Sequence, residues 1–206
     1  MIKAEKLTFG YDSTYLFEKI AFTLEENCHC ALIGSNGTGK TTLMNLIREP
    51  EGYTFDGKLK LDGAGRIGYV SQFALREGNQ SVTVYDYLCQ DFLALEQAIN
   101  DVCLQMETAE DMDALMERYQ NLLDESDAVD ADNYEVNIRK QLKLAELESK
   151  EDLPLEALSG GELKLVQVIR QMLRRPGLLI MGDPDVFLDF ENLNGLRDLI
   201  NAYKGT

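Results

Sequence analysis

Basic residues are scarce in this chain, proline is scarcer, and no apolar run is long. Lys and Arg number 20 against 36 Asp and Glu in 206 residues, a net charge of −16. No stretch approaches the ~20 apolar residues that span a bilayer. The opening MIKAEKLTFG also lacks the apolar core of a secretory signal. The expectation is a soluble, cytoplasmic protein without membrane insertion. Four prolines, 16 glycines and a 45% hydrophobic content exclude the low-complexity and disordered classes and leave enough apolar mass for a sizeable core. Histidine occurs once, as His29 within Cys28-His29-Cys30, and no second ligand pair accompanies it, so no metal site is expected there. With no other sign of an oxidising compartment, Cys28, Cys30, Cys89 and Cys103 read as reduced thiols.

The acidic excess is concentrated. Residues 93–157 hold eighteen acidic and five basic side chains, whereas residues 158–206 hold six of each. A sequence-independent nucleic-acid binder needs clustered cations to displace counterions from phosphate. The middle segment offers the opposite sign and reads as solvated helical faces.

Apolar spacing outlines the elements. Residues 2–8 and Ile20–Leu24 alternate as strands, with a turn at Gly10-Tyr11-Asp12 between them. The run from Cys28 to Ile33 predicts a buried strand, Lys40–Arg48 a helix and Ile67–Val70 another strand. In the middle, Leu88, Phe92, Leu95, Ile99, Val102 and Met106 recur at alternating steps of four and three, a two-heptad seam. After a break at residues 107–111, Met112, Leu115, Tyr119 and Leu122 form a second seam. The pair predicts a helical hairpin over residues 85–123. Residues 124–132 read as an acidic loop and residues 134–147 as a third helix. Gly161–Leu173 predicts a helix, and Leu178-Leu179-Ile180-Met181 a strand buried on both faces. This order belongs to an α/β nucleotide-binding core.

The strongest chemical signal is Gly34-Ser35-Asn36-Gly37-Thr38-Gly39-Lys40-Thr41-Thr42, which fits the phosphate-loop pattern G-x-x-x-x-G-K-[ST]. Its glycines let consecutive N–H groups turn inward toward phosphate oxygens, and the following helix adds its positive end. Lys40 would reach the terminal phosphates and the Thr41 hydroxyl would ligate Mg²⁺. The implied ligands are ATP or ADP with Mg²⁺.

With Leu158-Ser159-Gly160-Gly161-Glu162, the sequence resembles the ATP-binding cassette superfamily, whose signature reads LSGGQ or LSGGE. The resemblance implies that Ser159, Gly160, Gly161 and Glu162 act on ATP held by a partner cassette. It also implies that Tyr11 stacks on adenine and that Gln72 contacts Mg²⁺ and the attacking water. Gln72 and Ser159 lie 87 positions apart, longer than in ordinary transporter cassettes, and the helical hairpin fills the difference. The pattern therefore resembles the ABC-F group, soluble two-cassette proteins of which many act at the ribosome, and in particular its first cassette.

Two departures stand out. In Leu178-Leu179-Ile180-Met181-Gly182-Asp183-Pro184-Asp185-Val186-Phe187-Leu188-Asp189, Gly182 stands where the resemblance places the Mg²⁺-supporting Asp. Asp183 stands where it places the catalytic Glu. The family also continues into a strand and a histidine beyond the position of Thr206, so an excised domain is expected.

The expected fold is α/β, a P-loop NTPase core of ABC type with a β-rich N-terminal part and a helical subdomain carrying a hairpin insertion. The core would comprise residues 1–84 and 158–206, the subdomain residues 85–157. The expected partners are a second cassette and the ribosome. The alternatives are a transporter's nucleotide-binding subunit and a regulatory ATP-binding module without turnover.

Overall fold

In the computed structural model, residues 1–11, 14–63, 65–72, 81–109, 112–186 and 188–206 are described. They fall into two units, one made of Met1–Gln72, Pro176–Val186 and Tyr203–Thr206, the other of Phe73–Arg175 and Phe187–Ala202.

The first unit begins with β1 (Ile2–Tyr11), flanked by β2 (Thr14–Leu24) and β3 (Asp56–Leu61) in an antiparallel sheet of order β2-β1-β3. The alternation of β1 is broken once. The first of the shifts in its register against β2 falls between Ala4 and Leu7, where Lys6 takes a left-handed backbone with φ 51°. The extra residue lets Ile2, Ala4, Leu7 and Phe9 all turn to the core, which a strict two-residue period would forbid. Gly10 and Tyr11 continue β1 instead of forming the expected turn, because Tyr11 pairs with Thr14. Asp12 lies outside the described residues.

A parallel pair, β4 (Ile67–Val70) and β5 (Leu178–Met181), completes the strands of this unit, with Ile67 opposite Leu178 and Val70 opposite Met181. Helix α1 (Lys40–Arg48) buries Leu43, Leu46 and Ile47 in one cluster with the inner residues of β1 and with Leu178 and Ile180. That packing fixes the start of α1, and so the phosphate-type loop, on the same core as β5.

The expected strand at residues 28–33 is not formed. Leu32 is 47% exposed and Ile33 89%. An apolar run becomes a buried strand only where a neighbour supplies a ladder and a cover. β5 pairs with β4 on one edge. On its flank the Leu179 N–H donates to the Thr206 carbonyl, and the Thr206 N–H donates to Gly177. The Asn27 N–H reaches the Thr206 hydroxyl, and residues 29–33 after it are exposed.

The second unit is helical: α2 (Val84–Met106), α3 (Asp113–Val129), α4 (Tyr134–Leu144), α5 (Gly160–Leu173) and α6 (Phe190–Ala202). The Thr83 hydroxyl caps α2 by accepting the Asp86 N–H at 3.0 Å. Leu88, Phe92 and Val102 of the first seam are buried, and α2 packs on α3 to form the hairpin. Residues 110 and 111 of the connection lie outside the described residues. The expected acidic loop at residues 124–132 is a correction, since α3 runs on to Val129. The Gln120 side chain donates to Asp124 one turn later, and solvent faces carry the acids without interrupting the helix. Asp130, at φ 56°, ends α3. α4 stops at Leu144 rather than at residue 147, and Glu146 follows with φ 58°. Asp91 of α2 is held by Arg170 of α5 and by Arg174 just after it, each through two hydrogen bonds of 2.7–3.2 Å.

Candidate functional site

The loop from Gly34 to Thr42 closes on itself. The Lys40 ammonium donates to the carbonyls of Gly34 at 2.8 Å and Ser35 at 3.0 Å, and the Thr38 hydroxyl donates to the Ser35 carbonyl at 2.8 Å. Gly39 is the residue before α1, with φ 89°, and no side chain caps the first-turn amides. Only glycine suits it twice over. The backbone is left-handed, and a Cβ would fall 2.6 Å from Leu16 Cγ of β2. The first turn of α1 carries no acidic residue. Free N–H groups, the positive helix end and a lysine already bent over the loop make a cradle that fits a phosphate chain. Thr41 is exposed beside it.

Tyr11 is 58% exposed at the end of β1, its ring edge-to-face with Phe9 at 5.1 Å. That leaves an aromatic face open to solvent and available for stacking.

Gln72 and the 182–183 pair meet where β4 and β5 end. The Gly182 N–H donates to the Val70 carbonyl at 2.9 Å, and a Cβ on Gly182 would sit 3.4 Å from the Gln72 nitrogen, an ordinary contact. Residue 182 is a buried glycine, and with no side chain it brings no carboxylate to this position. Asp183 follows with φ 38°, a left-handed conformation that Asp tolerates better than most residues. The two residues expected at Mg²⁺, Thr41 and Gln72, carry neutral side-chain oxygens. They fit an ion that keeps several waters. Phe187, within the same stretch, lies outside the described residues.

The signature residues belong to the second unit. Ser159 precedes α5 and its hydroxyl accepts the Glu162 N–H at 3.2 Å, while Glu162 Oε2 accepts the Ser159 N–H at 2.8 Å, a complete capping box. Gly160 is exposed, and a Cβ there would meet nothing within 4 Å. Gly161 is buried against α6, where a Cβ would fall 2.7 Å from Asn192 Nδ2. Burial works to raise the Glu162 pKa, but the Ser159 N–H and hydroxyl together with Lys150 hold it below the usual carboxylate range. Lys150 stands 3.4 Å from Glu162 Oε1. The sequence reading missed it, because the two residues share no helix or strand period that would point to their contact.

A sequence model of the ABC transporter family matches residues 17–186. The chain is 27% identical over 215 residues to an uncharacterized ABC transporter ATP-binding protein of Bacillus subtilis, YfmM, spanning 99% of this chain and 40% of that protein. It is 26% identical over 197 residues to the energy-dependent translational throttle protein EttA of Haemophilus influenzae, spanning 93% of this chain and 34% of EttA. The chain therefore spans about a third to two fifths of these relatives. Among solved structures, cbiO1 of Clostridium perfringens, part of the ABC transporter complex cbiONQ, superposes with a TM-score of 0.64 at 20% identity. That superposition covers 98% of this chain and 73% of cbiO1, a likeness of fold.

Proposed function

The chain belongs to the ABC transporter family, and from that premise we propose that it is one cassette of an ABC-F-like pair, an ATP-driven switch acting on the ribosome. Its fold is that of an α/β P-loop ATP-binding cassette. The observation that carries the finer reading is the long α2–α3 hairpin, 23 and 17 residues, set between Gln72 and the signature end. The kinship with EttA supports it.

In this reading the Lys40 ammonium exchanges the carbonyls of Gly34 and Ser35 for phosphate oxygens, and the free amides at the start of α1 receive the rest of the anion. Tyr11 offers its ring to the base. The start of α5, with Ser159 and Gly160, receives the nucleotide of the second cassette. Mg²⁺, when bound, would offset phosphate charge beside Thr41 and Gln72. Gln72 and Asp183 are the groups able to orient a water there, and Asp183 is one methylene shorter than glutamate. With Gly182 bare, hydrolysis at this site is slow.

That last feature favours a second reading, a nucleotide-sensing cassette that binds without turnover. Two measurements on the full-length protein separate the readings. Co-sedimentation with ribosomes in MgATP but not MgADP is expected, and its absence with both nucleotides would overturn the ribosomal assignment. Turnover at this site, with the other site disabled, distinguishes a slow ATPase from a pure sensor.

A further inference from the structure

Glutamate at the fifth position of the signature poses an electrostatic problem. Its carboxylate lies in the first turn of α5, where it cancels much of the half positive charge that a helix start offers an anion. It is also ionised near neutrality, being held below its ordinary pKa range. One oxygen, Oε2, is engaged by the Ser159 N–H. The other, Oε1, faces Lys150 at 3.4 Å.

Lys150 is the sole base among residues 146–156, a stretch with five acids. One of these, Glu151, has Arg139 at 3.4 Å. The Lys150 ammonium reaches Glu162 across 12 positions of sequence, which places a compensating charge at the end that meets phosphate. We propose that Lys150 is a positioning residue of the signature end. It neutralises and steers the Glu162 carboxylate so that a helix start carrying an acid still receives the partner cassette's ATP. This rests on the reading that Ser159 to Glu162 meet that nucleotide. The pair is part-exposed, so its contribution to folding is small and its effect falls on phosphate.

The test uses the full-length protein. The half-saturating MgATP concentration for cassette closure is read by fluorescence transfer between labels on the paired cassettes, and the thermal midpoint is read alongside. Lys150→Met should raise that concentration roughly three- to tenfold, the scale of one uncompensated charge at a part-exposed helix start. Lys150→Arg should stay close to wild type. Glu162→Gln, which keeps the capping box, should restore closure in the Lys150→Met background, with thermal midpoints unchanged throughout. A Lys150→Met variant that closes normally, or whose loss Glu162→Gln does not restore, overturns the proposal. Gly160→Asp, at a position open to a side chain, checks the reading beneath it. If closure ignores that new acid, the signature end does not meet phosphate and the role of Lys150 falls with it. If Gly160→Asp blocks closure while Lys150→Met does not, only the role of Lys150 falls.

Discussion

At the residue scale, the site is built from what Lys40 and Gly182 do in opposite directions. Lys40 brings a charge to a loop whose carbonyls already hold it in place. Replacing it by alanine should leave the fold intact, since its partners are solvent-accessible carbonyls, and should weaken ATP binding by about 1.5–3 kcal/mol, the value of a charge-assisted contact. Titration calorimetry checks this, and unchanged affinity would remove the loop from the nucleotide site. Gly182 subtracts a charge. Its backbone φ is not left-handed and its missing Cβ has only ordinary neighbours, so Gly182→Asp should fold. It should also lower the Mg²⁺ needed for ATP binding by roughly three- to tenfold, because a carboxylate is a far better partner for a hard cation than water. A Mg²⁺ titration that is identical in both proteins would show that residue 182 does not face the ion. Asp183→Glu is the harder repair, as the left-handed backbone at φ 38° suits a short polar side chain. The loop ahead of α1 was legible in the sequence, because it is contiguous and its glycine spacing dictates its backbone, with Gly37 and Gly39 left-handed. The Lys150–Glu162 pair was not, since its members come from separate segments with no period linking them.

At the element scale, helices announced themselves better than strands. α1 and β4 match their expected bounds, and the seam of α2 places Leu88, Phe92 and Val102 inside as its spacing requires. β3 and α6 escaped notice. Asp56–Leu61 shows only partial burial of Leu59 and Leu61, too weak an alternation to read. α6 begins after a proline-bearing loop and is set by Asp189, whose carboxylate accepts the Asn192 N–H at 2.8 Å. The strand expected at residues 28–33 failed for another reason. Burial depends on a neighbouring ladder, which local composition does not encode. Between elements, Asp91 is the main clamp of α2 on α5. Burial works to raise its pKa, but the Arg174 and Arg170 guanidinia outweigh this and bring it down to about 2. A carboxylate with a depressed folded pKa adds stability above its unfolded value near 3.8, and that stability is lost as the pH falls toward 2. Asp91→Asn should therefore destabilise the helical unit at pH 7 by roughly 1–2 kcal/mol, a surface-weighted value for a part-exposed pair. It should also flatten the decline between pH 4 and pH 2. Urea denaturation followed by circular dichroism at both ends of that range measures it. A variant with the wild-type acid profile would show that Asp91 contributes nothing to the decline.

At the scale of the whole molecule, charge sets the conditions under which the chain can work. Between Asp101 and Asp132 there are eleven acids and one base, Arg118. Asp101, Asp113, Glu117, Asp124, Glu125 and Asp127 are all exposed on α2 and α3. Such a hairpin repels a phosphate backbone, so contacts that hold this cassette to a ribosome would come from protein surfaces or from other parts of the full-length chain. The same excess acts on the fold itself. Like charges spread over neighbouring helical turns repel one another, and the Debye length falls from ~10 Å at 0.1 M to ~3 Å at 1 M salt, which shields them. Salt also weakens the favourable pairs, Asp91 with its two arginines among them. The sum is decided by number: eighteen acids face five bases between residues 93 and 157, and the Asp91 pairs are partly screened from solvent already. Raising NaCl from 0.05 to 0.5 M, values chosen to span the change in Debye length, should therefore move the urea midpoint of the chain upward. The rise should shrink when Asp113, Glu117 and Asp124 are replaced by Asn, Gln and Asn, substitutions that remove charge from exposed positions without touching the buried seam. A midpoint that falls with salt would mean that the arginine clamps outweigh the repulsion, and the acidic face of the hairpin would then cost the fold less than the clamps contribute.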